Sequence, residues 1–147
     1  DLSLVDPDNR RPVDYHVRRA LAGEMAALSA EQVMARSDEG LPKLWLISRA
    51  LGVRRRHPER LGGTADYRPL QAAGPKSRHA LAFLRSESVA VVVPRFPHTL
   101  AGQWQDTTVE LPAGHWTNEL TGDLCEGGPQ GLAKLLPRSP AALLVRA

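Results

Sequence analysis

A single cysteine, Cys125, leaves no pair for an internal disulfide, and the five histidines show neither a Cys/His nor an HExxH spacing, so no metal site is expected. Aromatic residues make up 5% of the chain, too few for the stacking platform of a single-strand nucleic-acid binder. The formal charge is +3 and the bases are dispersed, so nucleic acid is not an expected partner. No apolar run reaches the roughly 18 residues of a membrane span, and no basic-then-apolar leader opens the chain. No membrane partner is expected, and the lone thiol fits a reducing, cytoplasmic setting. An initiator methionine is also lacking: the chain opens at Asp1 in loop-like sequence, which suggests a piece of a longer polypeptide.

What is present is a core's worth of apolar residues, 42% of 147, in two different grammars. After Pro12, the spacing of Val17, Leu21, Met25 and Leu28 predicts a helix over 13–28. Ser29 with Gln32 three positions later is a capping-box pattern and predicts a short second helix over 30–36. Pro42 opens a third, in which Leu44, Ile47 and Leu51 share one face and Leu46, Ala50 and Val53 the adjoining one. Arg54, Arg55, Arg56 and His57 then suit the negative end of the helix dipole, and Pro58 follows. So wide an apolar stripe on so short a segment implies burial against a larger body.

Beyond the glycine pair at 62 and 63, short runs rich in Val, Leu, Phe and Thr alternate with Gly and Pro. They predict strands at 66–71, 79–85, 88–93, 106–111, 115–120, 132–136 and 141–146, with a turn at Pro112-Ala113-Gly114. Short strands separated by turns read as an antiparallel β-sandwich. The fold class is therefore α+β, with a helical region over 1–62 and a β-domain over 63–147.

Candidate chemistry is sparse. Asp6, Asp8 and Asp14 could supply paired carboxylates, yet loop acids beside arginines serve more often in ion pairs. A positioning role suits the loop better, because aspartate accepts from sugar hydroxyls, arginine donates to them, and flanking prolines fix the backbone. Trp104 and Trp116 could stack on pyranose rings, though core packing is the simpler role, as it is for Trp45. His57, His79, His98 and His115 lack a nucleophile partner pattern and receive no chemistry.

Taken together, DLSLVDPDNRRPVDY at 1–15, GLPKLWLISRALGVRRRHPE at 40–59, DYRPL at 66–70, HALAFLR at 79–85, PRF at 94–96 and DTTVELPAGHW with LTG at 106–122 resemble the maltooligosyltrehalose synthase family of the α-amylase superfamily. The resemblance implies the loop and closing helices after the last strand of a (β/α)8 barrel, over 1–62, followed by a C-terminal β-sandwich domain. It implies conversion of the reducing-end α-1,4 bond of a maltooligosaccharide to an α,α-1,1 bond, with no cofactor and no metal. It also implies that the catalytic carboxylates lie upstream, so that the partners are a maltooligosaccharide substrate and the barrel of the same polypeptide. By the shared DPDxR loop, Asp6 and Arg10 are expected to contact substrate glucose, and Asp8 and Arg11 to brace the loop. A non-catalytic carbohydrate-binding or interaction module, and a fragment of a neopullulanase-like hydrolase, are the alternatives.

Overall fold

The computed structural model describes residues 13–147, so Asp6, Asp8, Arg10 and Arg11 lie outside the described residues. Spatial proximity divides the chain into two compact units, one ending at Ser48 and the other running from Arg49 to Ala147.

In the first unit, α1 spans Tyr15–Glu24 and continues as a 3-10 turn over Met25–Ala27. It starts later than the apolar spacing predicts because Asp14 is its N-cap: the carboxylate accepts from the amides of His16 (2.9 Å) and Val17 (3.1 Å). The α2 helix, Ala30–Ala35, carries the predicted capping box, in which Ser29 Oγ accepts from the Gln32 amide (3.3 Å) and Gln32 Oε1 from the Ser29 amide (2.8 Å). A second 3-10 turn, Ser37–Glu39, ends at Gly40, whose φ of 74° is a left-handed conformation that glycine adopts without strain.

The long α3 helix, Leu41–Arg56, begins there and runs across the boundary between the units. Its buried positions are Leu41, Trp45 and Val53, whereas Leu46, Ile47 and Leu51 are exposed at 38%, 45% and 53%. Part of the predicted stripe therefore faces outward. Pro58 then occupies the first turn of α4, Pro58–Leu61, where its missing N–H costs nothing.

The second unit is built on seven antiparallel strands: β1 Tyr67–Leu70, β2 Ala72–Ala73, β3 Ala80–Arg85, β4 Val89–Pro94, β5 Thr108–Asn118, β6 Leu124–Gly131 and β7 Ala142–Arg146. All belong to one hydrogen-bonded sheet in the order β1-β3-β4-β7-β5-β2, with β6 also on β5. The expected two-sheet sandwich is thus corrected to a single curled sheet. Curling follows from connectivity: β1 pairs with β3 at one end of the order, β2 pairs with β5 at the other, and only Gln71 separates them. Two Cα–Cα steps span about 7 Å, so both ends of the sheet must meet.

Alternation decides which side is the core. Two cross-strand rows, Ala82–Val92–Ala142 and Leu84–Ala90–Leu144, face inward and join Val109, Leu111 and Trp116 of β5 in one buried cluster. Leu100, at the end of the short helix α5 (Pro97–Leu100), Trp104 and Leu132 complete it.

Two local expectations fail for physical reasons. Pro112-Ala113-Gly114 is a bulge inside one long strand rather than a turn, since pairing with β6 resumes at His115 after breaking at Leu111. Residues 132–136 form no strand; the helical turn α6, Leu132–Leu135, buries Leu132, whose amide donates to Thr107 O (2.9 Å). The strand that was not expected, β6, has the sequence LCEGGPQG, poor in β-formers, and is templated by β5.

Candidate functional site

Among the described residues, the acids and histidines are mostly engaged in structure. Asp14, one of the three acids considered for catalysis, serves as the α1 cap. His79 is buried, with Nδ1 3.2 Å from Arg95 O, and the Phe96 ring lies edge-on at 6.4 Å. His115 Nδ1 lies 2.8 Å from Glu126 Oε1 on an exposed surface, and His57 Nδ1 sits 3.8 Å from Glu59. No described histidine shares a hydrogen bond with a serine, threonine or cysteine side chain, so no nucleophile–base pair is assembled among them. Nor do three or more His, Cys, Asp or Glu converge on a point that could hold a metal ion among the described residues. No described helix is long and apolar enough to cross a membrane.

The tryptophans behave as packing residues. Trp104 and Trp116 lie in the β-domain core at 6% and 0% exposure, which removes them as sugar-stacking candidates. Trp116 Nε1 donates to Pro112 O (2.9 Å) and so pins the bulge of its own strand. Trp45 is 2% exposed, and its Nε1 has no acceptor among the described residues.

Among the described residues, three concave regions stand out. In the helical unit, Arg18, Asp38, Glu39, Pro42 and Lys43 line about 280 Å³. Beside it, Arg36 forks onto Glu39 through Nε and Nη2 (2.6 Å each) and reaches Glu24 through Nη1 (2.8 Å), which holds the Glu39 carboxyl below its usual value. A second cleft of about 380 Å³ lies between β6 and α6, lined by Asn118, Asp123, Cys125, Lys134 and Arg138. Burial pushes the Cys125 thiol up, against the attraction of Lys134, so it is a poor nucleophile at neutral pH. Arg138 is already bonded to Asp123 Oδ1 (2.9 Å) and Thr121 O (3.2 Å).

The third, about 410 Å³, opens along β1 and β3 and is lined by Tyr67, Gln71, Ser77, Arg78 and Leu81. It contains no carboxylate. Sequence reasoning missed it: DYRPL and HALAFLR supply part of its walls through Tyr67, Pro69 and Leu81, but Gln71, Ser77 and Arg78 lie outside both runs and join them only through the pairing of β1 with β3.

No protein-family model matches the chain. Proteins described as maltooligosyl trehalose synthases from two strains of Mycobacterium tuberculosis, CDC 1551 / Oshkosh and H37Rv, are each 42% identical to it over 147 residues, 99% of this chain. The chain spans 17% of the length of these relatives. Two structures of the maltooligosyltrehalose synthase of Arthrobacter ramosus, one a point mutant, superpose on the whole chain with TM-scores of 0.82 and 0.83 at 34% identity. The chain covers 19% of each. A third, a maltooligosyl trehalose synthase at 21% identity, shares the fold with a TM-score of 0.67. Identity and superposition along the whole chain relate it to the maltooligosyl trehalose synthases, and it corresponds to their carboxy-terminal region.

Proposed function

We propose that the chain is the carboxy-terminal portion of an intramolecular transglucosylase acting in trehalose biosynthesis. The full enzyme converts the reducing-end α-1,4 bond of a maltooligosaccharide to an α,α-1,1 bond, giving a terminal trehalose unit. The observation that carries this reading is the 42% identity along 99% of the chain. In this reading residues 1–62 follow the last strand of a (β/α)8 barrel, and residues 63–147 form the appended β-domain.

The chemistry divides accordingly. A nucleophilic carboxylate and a general acid upstream form and resolve a covalent glycosyl intermediate, with retention at the anomeric carbon. The released glucose must be held and reoriented so that its own anomeric hydroxyl attacks, which demands exclusion of water. In this reading residues 1–12 sit at the C-terminal ends of the barrel strands, where such enzymes keep their active sites. There Asp6 accepts from and Arg10 donates to glucose hydroxyls, while Asp8 and Arg11 brace the loop. Binding energy of this kind favours reaction only where it positions the reacting groups.

One feature of the helical unit supports a larger covering body: Val13, Tyr15 and Val17 are exposed at 53%, 70% and 51%, and Leu46 and Ile47 on α3 are exposed too. The upstream barrel of the same polypeptide is the proposed partner. The unpaired Cys125 suits a cytoplasmic location.

The site assignment is tested in the full-length enzyme. Loss of one hydrogen bond to a charged group lowers kcat/KM on maltopentaose about tenfold or more in Asp6→Ala and in Arg10→Ala. Unchanged kinetics in both variants would refute it.

A further inference from the structure

We infer that the cleft along β1 and β3 is a surface binding site for α-1,4-glucan chains, separate from the proposed active-site loop and with no chemistry of its own. The inference rests on the reading that the full enzyme acts on maltooligosaccharides, and it names a second place where the same class of ligand is held.

The carrying residue is Tyr67. Its side chain is exposed at 60%, yet its ring is propped on Phe83 with centroids 5.2 Å apart and an interplanar angle of 32°. An exposed aromatic ring already fixed by a neighbour loses little entropy when a flat apolar surface packs on it, and the C–H face of a pyranose is such a surface. The other exposed aromatic of this unit, Phe96, is occupied: the Arg95 guanidinium lies 4.4 Å above its ring. Trp104 and Trp116 are buried. Tyr67 is thus the ring of this unit free to stack.

Around it stand the groups a sugar needs. Gln71, Ser77 and Arg78 line the same cleft, and their side chains make no hydrogen bond among the described residues. An amide and a hydroxyl both donate and accept, and a guanidinium donates in pairs, which matches vicinal sugar hydroxyls. Leu81, 47% exposed, extends the apolar floor at the Gln71 end of the cleft. The volume, about 410 Å³, falls in the ordinary range of ligand sites, and the cleft is open to solvent. Arg78 is the one charged residue in the lining, too little for a polyanion, and with no carboxylate present neither a cation nor glycosidic cleavage is served.

The test is electrophoresis of the full-length enzyme in gels containing amylose, run beside turnover of maltopentaose. Tyr67→Ala should weaken the retardation constant about fivefold, the loss expected for one stacking contact, and leave kcat/KM on the short substrate unchanged. Tyr67→Trp should keep the retardation, and Gln71→Ala should weaken it by a smaller factor. Equal retardation of Tyr67→Ala and the parent enzyme overturns the inference, and so does loss of retardation and turnover together. An enzyme that makes trehalose-ended products but whose retardation ignores Tyr67 leaves the proposed function standing and removes the surface site. One retarded through Tyr67 that makes no such product does the reverse.

Discussion

Replacing Trp116 by alanine should destabilise the β-domain by about 3–5 kcal/mol, because the indole is wholly buried and its volume cannot be refilled by neighbours already in contact. Trp116→Phe restores most of the volume but leaves Pro112 O without its donor, at a cost of about 1–3 kcal/mol. Chemical denaturation midpoints at constant slope separate the two. Arg36 poses a different question, since its contribution depends on the charge of Glu39. The folded pKa of that carboxyl is depressed chiefly by its hydrogen bonds to Arg36, so the contribution is complete at neutral pH. It declines as pH falls below the ordinary carboxylate value of about 4.3 and is lost once pH passes the lower folded value. The difference in thermal midpoint between the parent protein and Arg36→Met should be present at pH 7 and shrink at pH 3. A difference that grows on acidification would contradict the ion-pair account.

At the scale of elements, the pairing of β5 with β6 depends on a residue that has no side chain. A Cβ on Gly127 would run into Pro112 O and lie 2.5 Å from Ala113 Cα, both backbone atoms of the facing bulge. Gly127→Ala should therefore cost about 1–3 kcal/mol through forced backbone displacement, whereas Gly131→Ala, with nothing within 4 Å, should cost less. Ser29→Ala should remove about 0.5–2 kcal/mol by opening the cap of α2. Circular dichroism melts of these variants check both. These elements also mark what the sequence made readable. Capping chemistry is local, so Ser29 and Gln32 announced α2 without help from the rest of the chain. The β3 and β4 strands were visible because the runs at 79–85 and 88–93 are rich in β-formers, whereas their joining through Ser86 and Glu87, at φ of 47° and 52°, had no glycine-containing turn signal to announce it. The β6 strand was not visible, because Gly127, Gly128, Pro129 and Gly131 carry turn signals and only tertiary pairing makes them a strand. The bulge at 112–114 was mistaken for a turn for the same reason: a local signal of irregularity does not say whether the partner strand continues past it. The ring-like closure of the sheet depends on Gln71 joining two distant edges, a relation with no local signature. At the candidate site, the resemblance pointed to Asp6 and Arg10, while the Tyr67 cleft needed the strand register to bring 67–71 beside 77–82.

For the molecule as a whole, the chain's length against its relatives, 17% of theirs, frames every functional statement. Its described residues supply a β-domain core complete in itself, a helical unit with exposed apolar side chains, and no assembled pair of nucleophile and base. On the proposed function, which puts the catalytic carboxylates upstream, the chain should act only as part of the longer enzyme. The direction in which reducing ends change reports the reaction class directly, because an α,α-1,1 bond joins two anomeric carbons and leaves neither free. The decisive measurement is therefore the count of reducing ends during incubation of maltopentaose with the full-length enzyme and, in parallel, with the 147-residue chain alone. The account predicts a fall in reducing ends with no new saccharide molecules for the full-length enzyme, and no change for the chain alone. A rise in reducing ends from the full-length enzyme, the mark of hydrolysis, or any conversion by the isolated chain, would contradict it.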